Sequence, residues 1–255
     1  MLLRETPCFS ARKSSARCST LQRCPFEAAF QLSSGAFHAS MICQDSAAQD
    51  SDILSALRRA TGAQHTLVDR AMPLAVPHAG LDAYREHLLL LKHWLEPVEA
   101  WLSLYDDGPQ DPALIPPAWR TPLVVQDLAD PALSAVVPRP APAAAAAAST
   151  AVVALPLQGD AAWRWGACYV IEGSQLGGAV LYKRLRAQLS PHPLRYLGAD
   201  GSGPGPRWQT FVAALRAAVR SRHDIERACA GAVCLFERLL VSLPVPAREA
   251  RVDCV

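Results

Sequence analysis

The sequence predicts an all-α fold, a single-domain bundle of helices. Apolar residues recur at steps of three and four in several segments, and strand-like alternation is nearly absent. The periodic segments are also long enough to share one buried core. With 255 residues, the chain suits one domain with tails. We expect a helical domain over residues 51–243, a disordered extension over 1–50 and a tail over 244–255.

Residues 1–50 are rich in Ser, Arg, Cys and Gln, lack sustained apolar periodicity and contain no apolar signal-peptide core. Met41 stands just ahead of the first periodic segment, and a start there is the expected explanation for the extension. Ser51 or Asp52 then suits an N-cap, followed by Leu54, Leu57, Thr61, His65 and Val68 on one helical side. A second helix is expected from Leu81 through Tyr84, Leu88, Leu91, Leu95 and Val98 to about Leu104, kinked at Pro97, before the turn residues Asp106 to Pro109. A short helix is expected from Pro122 to Leu128. Residues 131–159 hold five prolines and the tract Ala143 to Ala148, the composition of a low-complexity insertion. A long helix should follow from about Asp160 to Leu189. A Gly/Pro loop through Gly198 to Pro206 precedes two closing helices, near Trp208 to Arg220 and Ile225 to Leu240.

The formal charge of +2 is close to balance, so nucleic acid is not an expected partner, whereas an anionic small ligand is compatible. No apolar run reaches the roughly 18 residues of a membrane span. Eight cysteines show no C-x-x-C spacing, which predicts reduced thiols and a cytoplasmic setting rather than a structural zinc site.

The segment Gly166 to Leu181 reads as helix yet holds Gly173, Gly177 and Gly178 within six residues. Three glycines in a helix interior cost about 3 kcal/mol relative to alanine. Gly173 and Gly177 share a face, and their bare backbone leaves room for a flat object such as a porphyrin. Close packing of two helices explains the same two glycines.

His65 emerges from the core-facing stripe of the first helix. A carboxylate one turn on, Asp69, can take the Nδ1 proton and leave Nε2 for a metal. The same pair also suits a surface contact. Arg58 lies two turns earlier on a similar side, about 10 Å away at 1.5 Å per residue, a distance that suits an anionic ring substituent. His78, His87, His93, His192 and His223 show no metal-ligand spacing and are assigned no site.

Two segments carry a resemblance: Leu57-Arg-Arg-Ala-Thr-Gly-Ala-Gln-His-Thr-Leu-Val-Asp69 and Tyr169-Val-Ile-Glu-Gly-Ser-Gln-Leu-Gly-Gly178. In that order they resemble the proximal and distal helices of the bacterial biliverdin-producing heme oxygenases, particularly the phytochrome-associated branch. The likeness extends from about Asp52 to Leu240. It implies that His65 is the axial heme ligand, that Asp69 orients it, and that Thr61 and Arg58 line the pocket, with Arg58 on a propionate. Gly173 and Gly177 match glycines whose backbone meets the heme face, and Gly178 one that allows flexibility. Ser174 stands where the animal enzymes carry an aspartate, although serine is usual in the phytochrome-associated branch, so the proton supply should be water near Ser174. Arg207 is a candidate for a further propionate.

The resemblance further implies heme as substrate and cofactor, O2 as co-substrate, and biliverdin, carbon monoxide and ferrous iron as products. Electrons would come from a ferredoxin or flavoprotein, since no flavin or nicotinamide fingerprint is visible. A bacteriophytochrome is an expected recipient of the biliverdin. Two other readings remain: a heme carrier of the same architecture that degrades nothing, and a thiaminase-like protein using Cys168 as nucleophile.

Overall fold

The computed structural model describes residues 52–136, 155–156, 159–198 and 203–243. The expected disordered extension over 1–50, Ser51, the alanine tract and the tail over 244–255 lie outside these residues. Among the described residues the regular structure is entirely helical. The α-helices are α1 (Ile53–Ala71), α2 (Leu81–Leu102), α3 (Thr121–Leu128), α4 (Pro131–Ser134), α5 (Ala161–Leu185), α6 (Arg195–Gly198), α7 (Gly205–Ala218) and α8 (Arg222–Ser242).

The amphipathic stripe of α1 is buried at Leu54, Leu57, Thr61 and Val68, at the spacing its sequence predicts. Asp52 precedes α1 but makes no capping bond; it pairs instead with Arg216 of α7, 3.1 Å from Nε. Helix α2 runs through Pro97 as one element, and Pro97 is exposed. Its Glu99 takes over the start of α3, accepting from the backbone N–H groups of Arg120 (2.6 Å) and Thr121 (3.0 Å). Such a carboxylate satisfies donors that a helix start leaves open.

Residues expected to begin the low-complexity insertion at 131 instead form α4, capped by Asp130 and anchored by the fully buried Leu133. Helix α6 also arises inside what the sequence reads as the approach to a loop. Neither element is long enough to display a helical period.

Helix α8 is the common support. It packs along α5 and along α1, whereas α1 and α5 make little direct contact with each other. Trp94 ties α2 to it, donating from Nε1 to Leu235 O at 3.0 Å. The closeness of α5 and α8 depends on two glycines: a Cβ on Gly166 would lie 1.7 Å from Ala228 O, and one on Gly231 would lie 2.1 Å from Trp163 O. Close helix packing in α5 thus falls at Gly166, a glycine outside the Gly173 and Gly177 pair for which the sequence suggests it.

Helix α5 is capped by Asp160, whose side chain accepts from Trp163 N at 2.7 Å. It continues as 25 unbroken residues to Leu185, four short of the expected end. The buried Arg164 joins it to the loop after α2, donating to Asp107 O (2.9 Å), Gln110 Oε1 (2.7 Å) and Gly159 O (3.1 Å), with its guanidinium 4.0 Å from the centre of the Tyr105 ring. A buried guanidinium needs this many acceptors to offset its lost hydration.

Candidate functional site

On α1, His65 Nδ1 lies 3.1 Å from Asp69 Oδ2. Spacing of four residues puts both side chains on one helical face, so the contact follows from α1 forming at all. A carboxylate accepting the Nδ1 proton selects the tautomer whose lone pair is on Nε2, itself a buried atom. The imidazole is 22% exposed on its side chain, and its ring sits 5.9 Å from Phe236 of α8. Helix α8 thus positions His65 by ring contact.

The other α1 residues are placed differently. Thr61 is buried and donates its hydroxyl to Leu57 O at 2.8 Å, so its oxygen is engaged within the helix. Arg58 is half-buried, and its charge lies near enough to the Tyr169 phenol of α5 to oppose the rise that burial causes in that phenol's pKa.

Gly173, Gly177 and Gly178 are all buried on α5. Gly178 faces α6: a Cβ there would meet Leu197 Cδ2 at an ordinary 3.7 Å. Gly173 and Gly177 continue the stripe that begins at Gly166, since 166, 173 and 177 recur at seven and four. Near Gly166 that stripe is filled by α8. Ser174 donates its hydroxyl to Ile171 O at 2.7 Å and accepts from Gln175 Nε2 at 3.3 Å.

Arg207, the candidate for a further propionate, meets α5. It grips Glu172 of α5 with Nε (2.8 and 3.0 Å) and Nη2 (2.6 Å), while Nη1 donates to Pro116 O. Arg120 adds a second guanidinium 3.5 Å from Glu172. A carboxylate in the apolar run of α5 signals that a cation must meet it, but the sequence does not name partners from α7 and from the approach to α3.

A second buried polar group went unnoticed in the sequence. Asp127 of α3 is fully buried and accepts from Tyr84 Oη (2.6 Å), Tyr196 N (2.9 Å), Arg195 N (3.0 Å) and Arg195 Nη1 (3.3 Å). Burial first, then the Asp127 charge, keeps the Tyr84 phenol protonated and so a donor. His192 accepts at Nδ1 from Leu194 N (3.0 Å), so Nε2 carries the proton and donates to Asp127 O at 3.2 Å. His87, buried on α2, is pushed down to about 3 by desolvation and is neutral.

Cys168 lies within α5 and is unsuited to nucleophilic attack. Burial, reinforced by the Glu172 charge, pushes its thiol up to about 12, and Gln110 Nε2 lies 3.3 Å from its sulfur.

Fold and geometry together define an all-helical protein with a carboxylate-oriented histidine on one helix and a glycine-bared backbone on another. Residues 51–240 match the family described as "Heme oxygenase". The chain is also similar to a "Heme oxygenase" of Xanthomonas campestris pv. campestris (strain 8004), 34% identical over 178 residues that cover 67% of this chain and 94% of that protein. The chain belongs to the heme oxygenase family. Among the described residues, no helix is long and apolar enough to cross a membrane.

Proposed function

We propose that the protein binds heme between α1 and α5 and cleaves it oxidatively to biliverdin, carbon monoxide and ferrous iron. The supporting observation is the His65–Asp69 contact at 3.1 Å, in a chain of the heme oxygenase family. It fits the group in its donor chemistry, because an imidazole whose Nδ1–H is held by a carboxylate would hold an iron through Nε2. Heme, when bound, supplies both the iron that activates O2 and the ring that is oxidised.

The roles of the chain's own residues follow. His65 would hold the iron from α1, and Asp69 would fix its tautomer and ring orientation. Arg58 neutralises a propionate, and Thr61 shapes the pocket floor with its methyl group, its hydroxyl being committed to Leu57 O. From α5, Gly173 and Gly177 offer backbone without side chains on the oxygen side, and Gly178 lets α5 adjust against Leu197. Ser174 has its proton on Ile171 O, so protons for the oxygen side come from water beside it. Electrons come from a separate ferredoxin or flavoprotein. The setting is the cytoplasm, and the phytochrome-associated branch supplies the expected recipient of biliverdin.

Hemin titrated into the protein and then treated with ascorbate or a ferredoxin system tests this. Loss of the Soret band with growth of biliverdin absorbance is the expected result. A Soret band that persists under reduction and O2 would make the protein a carrier, and no Soret shift at all would remove heme from the account.

A further inference from the structure

Helix α6 has four residues and no part in either motif, yet it touches α5 along the stripe that adjoins the two face-sharing glycines. Leu197 packs over Gly178, and Tyr182 packs where Gly198 lacks a side chain, with Tyr182 Cε2 only 2.8 Å from an added Cβ. Between them, Tyr196 is buried, and its hydroxyl accepts from Gln175 Nε2 at 3.2 Å. The same Gln175 nitrogen donates to Ser174 Oγ at 3.3 Å, so Gln175 links the Tyr196 and Ser174 hydroxyls.

We propose that Tyr196 is a positioning residue for the oxygen side of the pocket, holding Ser174 and Gln175 and thereby the turn of α5 that carries Gly173 and Gly177. The inference deepens the heme-cleavage reading and rests on it.

Two physical facts make Tyr196 suited to this. It is itself immobilised: buried Asp127 accepts the backbone N–H groups of Arg195 and Tyr196, and His192 braces the same segment through Leu194 N and Asp127 O. Leu194 stands at a φ of +53°, a left-handed conformation unusual for leucine that these bonds hold in place. The turn it holds is also intrinsically weak, because glycines lower helix propensity there and leave the backbone without side chains that would lock it. Gln175 and Ser174 are the polar handles on that turn, and with Gln175 and Tyr196 both buried, any shift of α5 would strand their donors away from water.

Tyr196→Phe removes one oxygen and keeps the ring. In the ferric heme complex, the acid–alkaline transition of the iron-bound water should move by about half to one pH unit, the size expected when one hydrogen bond of a coupled network is lost. The product should become a mixture of biliverdin isomers, while the spectrum of histidine ligation stays that of the unaltered protein. Ser174→Ala should produce the same shift, and the double variant no more than either single one. In the heme-free protein, amide exchange at Gly173 to Gly178 should be faster in Tyr196→Phe, a readout that stands even where heme affinity drops. An unchanged transition and isomer pattern with only a lower Tm would make Tyr196 a purely structural anchor and overturn the proposal, as would additive effects in the double variant. Failure of the heme reading itself shows separately, in the unaltered protein, as absence of hemin binding.

Discussion

His65 and Asp69 are one turn apart, and the 3.1 Å contact between them decides which imidazole nitrogen meets the carboxylate. Replacing His65 by alanine should abolish normal axial ligation in ferric and ferrous spectra while leaving far-UV circular dichroism intact, since the ring is partly exposed rather than central to the core. Asp69→Asn should weaken heme affinity about tenfold or more, the usual cost of a lost outer partner to a ligating histidine, as hemin titration would show. Two glycines of α5 should respond in opposite directions. Gly166→Ala would drive a methyl group into Ala228 O and destabilise the protein by about 1–3 kcal/mol, whereas Gly178→Ala meets Leu197 at an ordinary distance and should gain up to about 1 kcal/mol of helix propensity. Urea unfolding of the two variants checks both signs. The histidine–carboxylate pair was legible in the sequence because a four-residue step is local to one helix. The engagement of Arg207 with Glu172 was not, because the two are joined only when α7 reaches α5.

At the scale of the element, helix starts are where charge matters most. Burial raises the pKa of Asp160, but the Trp163 N–H hydrogen bond and Arg227 outweigh it and hold the carboxyl below its usual range. A carboxyl depressed on folding stabilises the protein above its unfolded pKa, and that contribution disappears as pH falls through the lower folded value. The stability gap between the unaltered protein and Asp160→Ala should therefore be full at neutral pH and close below about pH 4, measured by urea midpoints across the acid range. Apolar periodicity located α1, α2, α3, α5, α7 and α8 to within a few residues at each end. It passed over α4 and α6, which are too short to show a period and are held by Asp130, Asp127 and buried leucines. The sequence also offers Ser51 or Asp52 as the cap of α1, and the structure gives the Asp52 carboxylate to Arg216.

Across the whole molecule, buried charge ties distant segments together. Glu172 sits between Arg120 and Arg207, so Glu172→Leu would strand two guanidiniums and should cost about 3–5 kcal/mol. At roughly 2–4 °C per kcal/mol, a thermal melt should shift down by on the order of 10 °C. A smaller shift would mean that water reaches the pair. The sequence by itself determined that the chain is helical, where its main helices lie, and that His65 and Asp69 share a face, because each of these follows from the 3.6-residue period within one segment. Tertiary structure alone decided that α8 carries both α1 and α5, that Gly166 lies against the backbone of α8, and that Tyr196, Asp127 and Glu172 have the partners they do. Those pairings join residues far apart in the chain, and burial, which makes each one obligatory, exists only once the helices have packed.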